Sequence, residues 1–316
     1  MSGEAHRSFP SFGGTVSVHV RADDEARSAA AAEQARRFLL DAHDRLSRFL
    51  PDSELSGLNR DPRAEVPATP LLRSLAAAVA IAGANSGGLV DATLLAEIES
   101  AGYRESLGER APVPLAVALA SRAGRAAASP HRSSRWRLVG ADEEAGTVVR
   151  PAGVAIDSGG IAKGLLADLL ASELAEHPAF AVDCCGDVRI GGSAGLERRV
   201  LVDDPFGDEP IHELRLREGA AATSGIGRRC WPGPDGRPAH HLLDPSNGEP
   251  AFTGIVQATA LAKTALLAET RAKAALLSGP EGAAAWLPEG GVLVDDNGEA
   301  KVVPAGRTQQ PRPVAS

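Results

Sequence analysis

Val154-Ala-Ile-Asp157-Ser-Gly159-Gly160-Ile-Ala-Lys163-Gly-Leu-Leu-Ala-Asp168 decides how this chain is read. A short apolar run ends at Asp157, two glycines follow, and a helical pattern opens at Ile161 with Lys163 in its first turn. The pattern predicts a strand, a tight turn and a helix over 161–176. Free N–H groups and the positive end of a helix dipole make such a turn an anion site. Lys163 adds a mobile positive charge, and Asp157 a fixed carboxylate beside it. The stretch is not a Walker-type phosphate loop. Gly159 and Gly164 have that spacing, but Leu165 and Leu166 stand where Lys and Ser/Thr are required.

Working outward, Thr15–Val20 alternates as a half-buried strand. Asp23 and Asp24 offer caps for a long helix in which Phe38, Leu39, Ala42, Leu46 and Phe49 recur at helical spacing. A second helix is predicted over 71–84, stopped by Gly87 and Gly88. Residues 136–139 and 147–149 read as a hairpin, and 105–134 give only a weak helical signal. Further strands are expected at 179–183, 188–190, 200–202, 212–216, 255–260 and 291–294, with a helix over 264–277. Strands and helices mix without strict alternation, so the fold class expected is α+β with largely antiparallel sheets and flanking helices.

At 316 residues and 43% hydrophobic the chain can bury a sizeable core, and with 3% aromatics that core must rest on small aliphatic side chains. A net charge of −8 argues against nucleic acid as the main partner. Three cysteines, with Cys184 next to Cys185 and Cys230 alone, make neither a disulfide framework nor a paired zinc motif. No apolar run reaches membrane-spanning length. The first residues lack a signal core, so the expected location is cytoplasmic.

Five further blocks surround the opening stretch. They are Ser47-Arg-Phe-Leu-Pro-Asp-Ser-Glu-Leu-Ser-Gly-Leu-Asn59 and Ser86-Gly-Gly-Leu-Val-Asp-Ala-Thr93 upstream, then Val182-Asp-Cys-Cys-Gly-Asp187, Ala222-Thr-Ser-Gly225 and His240-His-Leu-Leu-Asp-Pro-Ser-Asn-Gly248. In this order and spacing the chain resembles the ApbE family of FAD:protein FMN transferases, from about Gly14 to Gly279. The resemblance implies two interleaved subdomains with a flavin nucleotide in the cleft between them. Residues 1–12 are then an N-terminal extension, 13–303 the flavin transferase domain and 304–316 a disordered tail.

The implied partners are FAD and a flavin-acceptor protein, with AMP released as FMN passes to a Ser or Thr hydroxyl. The implied FAD-binding residues are Asp91, Asp157, Gly159, Gly160, Lys163, Asp183, Thr223, Ser224, Leu243 and Asp244. His241, in the block His-x-x-Asp-Pro, is the expected general base, assisted by Lys163. Asp187, bracketing Cys184-Cys185-Gly186 with Asp183, is a further candidate carboxylate. Asp91 and Asp244 also suit plain structural roles, as a helix cap and the first residue of a turn before Pro.

Three positions depart from the family: Cys185 stands where the family usually has Gly, and two more lie in the metal site. In the family, the helix after the last long strand carries Asp and, four residues on, Thr; with a carbonyl of the Gly-Gly turn they hold Mg²⁺ against the diphosphate. In this chain that metal set would comprise Gly160 and Glu269, with Lys273 at the Thr position. A protonated Lys is no ligand for a hard cation. Glu followed by Lys at i, i+4 is instead a helix ion pair, and the ammonium is expected to fill the metal's space. The alternative function is therefore a flavin-binding protein without transferase activity.

Overall fold

The structure, a computed structural model, describes residues 3–108, 111–122 and 124–306. Among the described residues one sheet has eight strands, which lie side by side in chain order. They are Glu4–Ser11, Gly14–Arg21, Ala179–Cys184, Asp187–Gly191, Gly219–Gly225, Ile255–Ala262, Gly291–Asp295 and Ala300–Val303. Each neighbouring pair is antiparallel. Alternate side chains divide between the two faces. Val16, Val18, Val20, Val182, Ala220 and Ala222 join the main core with the helices Glu25–Leu46, Ala162–Glu173 and Ala265–Leu277. Ala181, Val188, Ile190 and Ala221 face the opposite way, where a hairpin of Arg198–Asp203 and Pro210–Leu216 covers them.

The excursion between Gly14–Arg21 and Ala179–Cys184 packs on the same main core through Val66, Leu71, Leu75 and Val148. It holds the helix Pro70–Asn85 and a small sheet of Glu65–Pro67, Gly140–Asp142 and Thr147–Val149. The α+β class and antiparallel sheets expected from the sequence are the architecture observed. Local chemistry sets the helix starts. Asp24 accepts from Arg27 N–H, Thr69 from Leu72 N–H with Pro70 in the first turn, and Thr264 from Leu267 N–H.

Several expectations need correction. The first long helix ends at Leu46, so Phe49 lies beyond it. Residues 135–138 form a short 3₁₀ turn, and the hairpin partner of Thr147–Val149 is Gly140–Asp142. The helix expected over 161–176 runs Ala162–Glu173, after a 3₁₀ turn at Ser158–Gly160. Residues 4–11, read as part of an extension, pair with Gly14–Arg21 in the main sheet. Most of the tail, 307–316, lies outside the described residues.

One close approach positions the site. A Cβ on Gly164 would stand 2.7 Å from the backbone of Ala265 and Leu266, so only Gly lets the helices Ala162–Glu173 and Ala265–Leu277 meet this closely. Asp168 ties the crossing, accepting from Ala265 N–H at 2.7 Å and Leu266 N–H at 2.9 Å. The start of one helix therefore lies against the flank of the other, where Glu269 and Lys273 project.

Candidate active site

A cleft of about 430 Å³ lies where these elements converge. Its walls come from 46–50 at the end of the first helix, the 89–92 turn, the 157–163 turn, Arg228 and Arg229, 241–243, and Lys273. Of the expected site residues, Asp91, Asp157, Gly159, Gly160, Lys163, His241 and Leu243 line it, together with Lys273. Its volume falls within the range of small-molecule sites.

Asp157 caps the glycine turn, accepting from Gly159 N–H at 3.1 Å. Its own N–H donates to Ala92 O at 2.8 Å, which joins the turn to the 86–93 block. Arg48 Nε stands 3.2 Å from the same carboxylate. The guanidinium packs against both the Phe49 and Tyr103 rings, at 4.2 and 4.8 Å from their centroids, and donates to Tyr103 O at 2.7 Å. Tyr103 in turn stacks on Trp231 at 4.8 Å. One end of the cleft is thus an aromatic wall pinned by an arginine.

Lys163 differs from its expected role. Its ammonium is no mobile charge beside Asp157; it is ion-paired with the buried carboxylate of Asp187. Burial works against its charge, but Asp187 and Glu269 outweigh that and hold its pKa well above the usual lysine range. Asp183, the other carboxylate of that hairpin, accepts from Gly186 N–H at 2.7 Å and shapes the turn. Burial raises its pKa above the usual carboxylate value.

Asp91 Oδ1 accepts from Thr93 N–H at 2.8 Å and Thr93 Oγ1 at 2.5 Å. Its Oδ2 is buried without a partner among the described residues, as a ligand-facing acceptor would be. His241 has an unpartnered Nδ1. Burial first, then the charges of Arg229 and Lys273, push its pKa well below the ordinary value, so its imidazole is neutral at pH 7. Neighbouring His240 is fully buried beside Phe252, its pKa pushed down by burial to about 3. Among the described residues no group of three or more His, Cys, Asp or Glu is arranged to hold a metal.

Four of the expected FAD-binding residues stand outside the cleft walls: Asp183 at its hairpin turn, Thr223, Ser224 and Asp244. Thr223 pairs with Thr259 across the sheet, hydroxyl to hydroxyl at 2.8 Å. Ser224 is buried on the same strand. Asp244 fastens its loop, accepting from Ser129 N–H at 3.0 Å and Ser246 N–H at 2.9 Å. Arg48, Tyr103 and Arg229 are the cleft residues that sequence reasoning missed. Arg48 lay inside the quoted 47–59 block, while Tyr103 and Arg229 carry no local signal.

The donors present do not match the family-implied magnesium set. Glu269 is fully buried, with Oε2 accepting from Gly164 N–H and Oε1 from Lys273 Nζ, both at 2.9 Å. A hard divalent ion wants several oxygen ligands at short, near-octahedral distances. One carboxylate already engaged on both oxygens, beside an ammonium, does not fit it.

The family model described as "ApbE family" matches residues 12–293. An FAD:protein FMN transferase of Treponema pallidum is 33% identical over 152 residues, covering 44% of this chain and 42% of that protein. One of Vibrio cholerae is 25% identical, covering 88% of this chain and 82% of that one. The crystal structure of the ApbE protein of Thermotoga maritima superposes with a TM-score of 0.75 at 25% identity, covering 95% of this chain and 97% of that one. The apo flavinyl transferase ApbE of Pseudomonas stutzeri follows at 0.73 and 22% identity, covering 96% and 95%. With four of its six motif blocks lining one cleft and the family model spanning nearly its whole length, the chain belongs to the ApbE family.

Proposed function

We infer that this chain is an FAD:protein FMN transferase. The observation that carries the reading is the capped glycine turn at Asp157–Lys163, opening on a cleft that also holds a neutral His241 and the unpartnered Asp91 Oδ2. The names of its relatives support the same chemistry.

In the reaction, a Ser or Thr hydroxyl of the acceptor protein attacks the flavin-side phosphorus of FAD. The new P–O bond forms as the bond from that phosphorus to the bridging oxygen breaks, and AMP leaves. His241 takes the hydroxyl proton. Phosphoryl transfer of this kind asks for positioning and charge neutralisation more than covalent catalysis. The turn N–H groups and Arg229 supply positive potential around the diphosphate. Bound phosphates would also offset the cations that depress His241, making it a better base as the substrate arrives.

A second reading has one observation in its favour. The Glu269–Lys273 pair occupies the metal position, which suits a flavin-binding protein that performs no transfer. Incubating the full chain with FAD and a Thr-containing acceptor domain separates the two. AMP release with flavin covalently retained on the denatured acceptor is expected; tight FAD binding with neither product would replace the transferase by the carrier.

A further inference from the structure

Side chains of this protein fill the space that the family-implied metal would take. Glu269 is buried and binds Lys273 Nζ and Gly164 N–H, one on each oxygen. The Lys273 stem lies over the glycine turn, with Cε 3.5 Å from where a Cβ on Gly160 would stand. The Lys273 side chain is only 10% exposed yet lines the cleft, so it borders the ligand space rather than bulk water. The cleft's other lysine, half-buried Lys163, is ion-paired with Asp187 as Lys273 is with Glu269.

The geometry points to Lys273 as the built-in cation of this cleft: its ammonium holds the diphosphate of a dinucleotide ester, with no divalent ion. This rests on the flavin-nucleotide reading for the identity of the ester, but not for the charge chemistry. An ammonium carries three donors and no lone pair, so it suits phosphate oxygens directly. Its positive charge also repels a dication brought to the same few ångströms. Glu269 sets its position, and the Gly164 N–H sets the position of Glu269.

The test is equilibrium binding to the full chain, of FAD by flavin fluorescence and of ADP by calorimetry, each in EDTA and in Mg²⁺. Both ligands should bind in EDTA, with affinity unimproved by Mg²⁺. Lys273→Met should weaken both in EDTA by about 10- to 100-fold, the loss of a hydrogen bond between charged groups. Because that variant leaves Glu269 buried and unpaired, a second one is needed. Glu269→Asp with Lys273→Thr should lose binding in EDTA and regain it in Mg²⁺. Binding that requires Mg²⁺ in the parent, or a folded Lys273→Met that binds like the parent, overturns the assignment. ADP bound in EDTA through Lys273 without any FAD binding would keep the cation and sink the flavin reading. FAD bound only with Mg²⁺ would do the reverse, and failure of both ligands under both conditions would end both.

Discussion

The ammonium of Lys163 is closed onto the carboxylate of Asp187, whose side chain is only 1% exposed, so the cleft floor carries a matched pair. Removing one partner strands the other in a low-dielectric site. Asp187→Ala should cost about 3–5 kcal/mol of stability in urea unfolding. Lys163→Met together with Asp187→Leu should cost less than that single change. Equal or greater loss in the double variant would show that the pair is not the stabilising unit. The folded pKa of Lys163 lies above its unfolded value of 10.5. Its contribution is therefore whole below about pH 10.5 and fades only as pH rises through the folded value.

The two adjacent histidines should make the protein acid-sensitive. Both are held neutral by burial, His240 down to about 3 and His241 well below 6.5. Below about pH 6.5 the unfolded chain takes up protons that these folded imidazoles refuse, so stability falls as pH drops toward the folded values, by up to about 1.4 kcal/mol per pH unit for each histidine. Asp168, Asp183 and Glu269 have raised pKa values and act in the opposite direction. The difference between the parent and His240→Gln isolates the histidine. Unfolding curves at pH 7.5, 6.5 and 5.5 should converge for the pair as pH falls; parallel curves would refute the effect.

Glycines at two helix positions should respond in opposite directions to alanine. Gly164→Ala drives a Cβ into the backbone of the neighbouring helix. It should destabilise by about 1–3 kcal/mol or more, as overpacking does. Gly57 lies inside the helix Glu54–Arg60 with nothing within 4 Å of an added Cβ. Gly57→Ala should gain up to about 1 kcal/mol from helix propensity. Thermal melts of the two variants decide this, and a neutral Gly164→Ala would mean the two helices can part at little cost.

His241→Ala separates binding from transfer. FAD affinity should stay within a few-fold while flavin transfer to an acceptor drops by about 10²–10⁴, the range for a general base. Unchanged transfer would retire His241 from the reaction. A proportional loss of affinity would make it a binding group.

Elements with strong local signals were readable before any coordinates. The cap at Asp24, the alternation of Val16, Val18 and Val20, and the glycine turn at Gly159–Gly160 each encode their structure within a few residues. The strand Gly219–Gly225 was not legible as a strand, because Gly-Ala-Ala-Ala-Thr-Ser-Gly has neither alternation nor β-branched bulk. Its small side chains are what let the helix Ala265–Leu277 lie against the sheet centre, a demand visible only in three dimensions. Several residues of the motif blocks do line one cleft. The packing of Arg48 against both Phe49 and Tyr103 is a tertiary event that no spacing announces. The same holds for the choice between Asp183 and Asp187: both flank one turn, and only the sheet's register decides which meets Lys163.

The strand Glu4–Ser11 has a consequence for anyone who shortens this chain. It shields the outer rim of Gly14–Arg21, whose register with it runs unbroken from Glu4–Arg21 to Ser11–Gly14. Its own sequence is polar and carries Pro10, features that discourage other molecules from adding to it. Cutting the chain at residue 13 would take Phe12, whose carbonyl accepts from Arg229, out of the cleft wall and would bare a valine-rich row of unpaired N–H and C=O groups. Such a rim is a template for chain-to-chain pairing, so the shortened protein should aggregate rather than merely melt earlier.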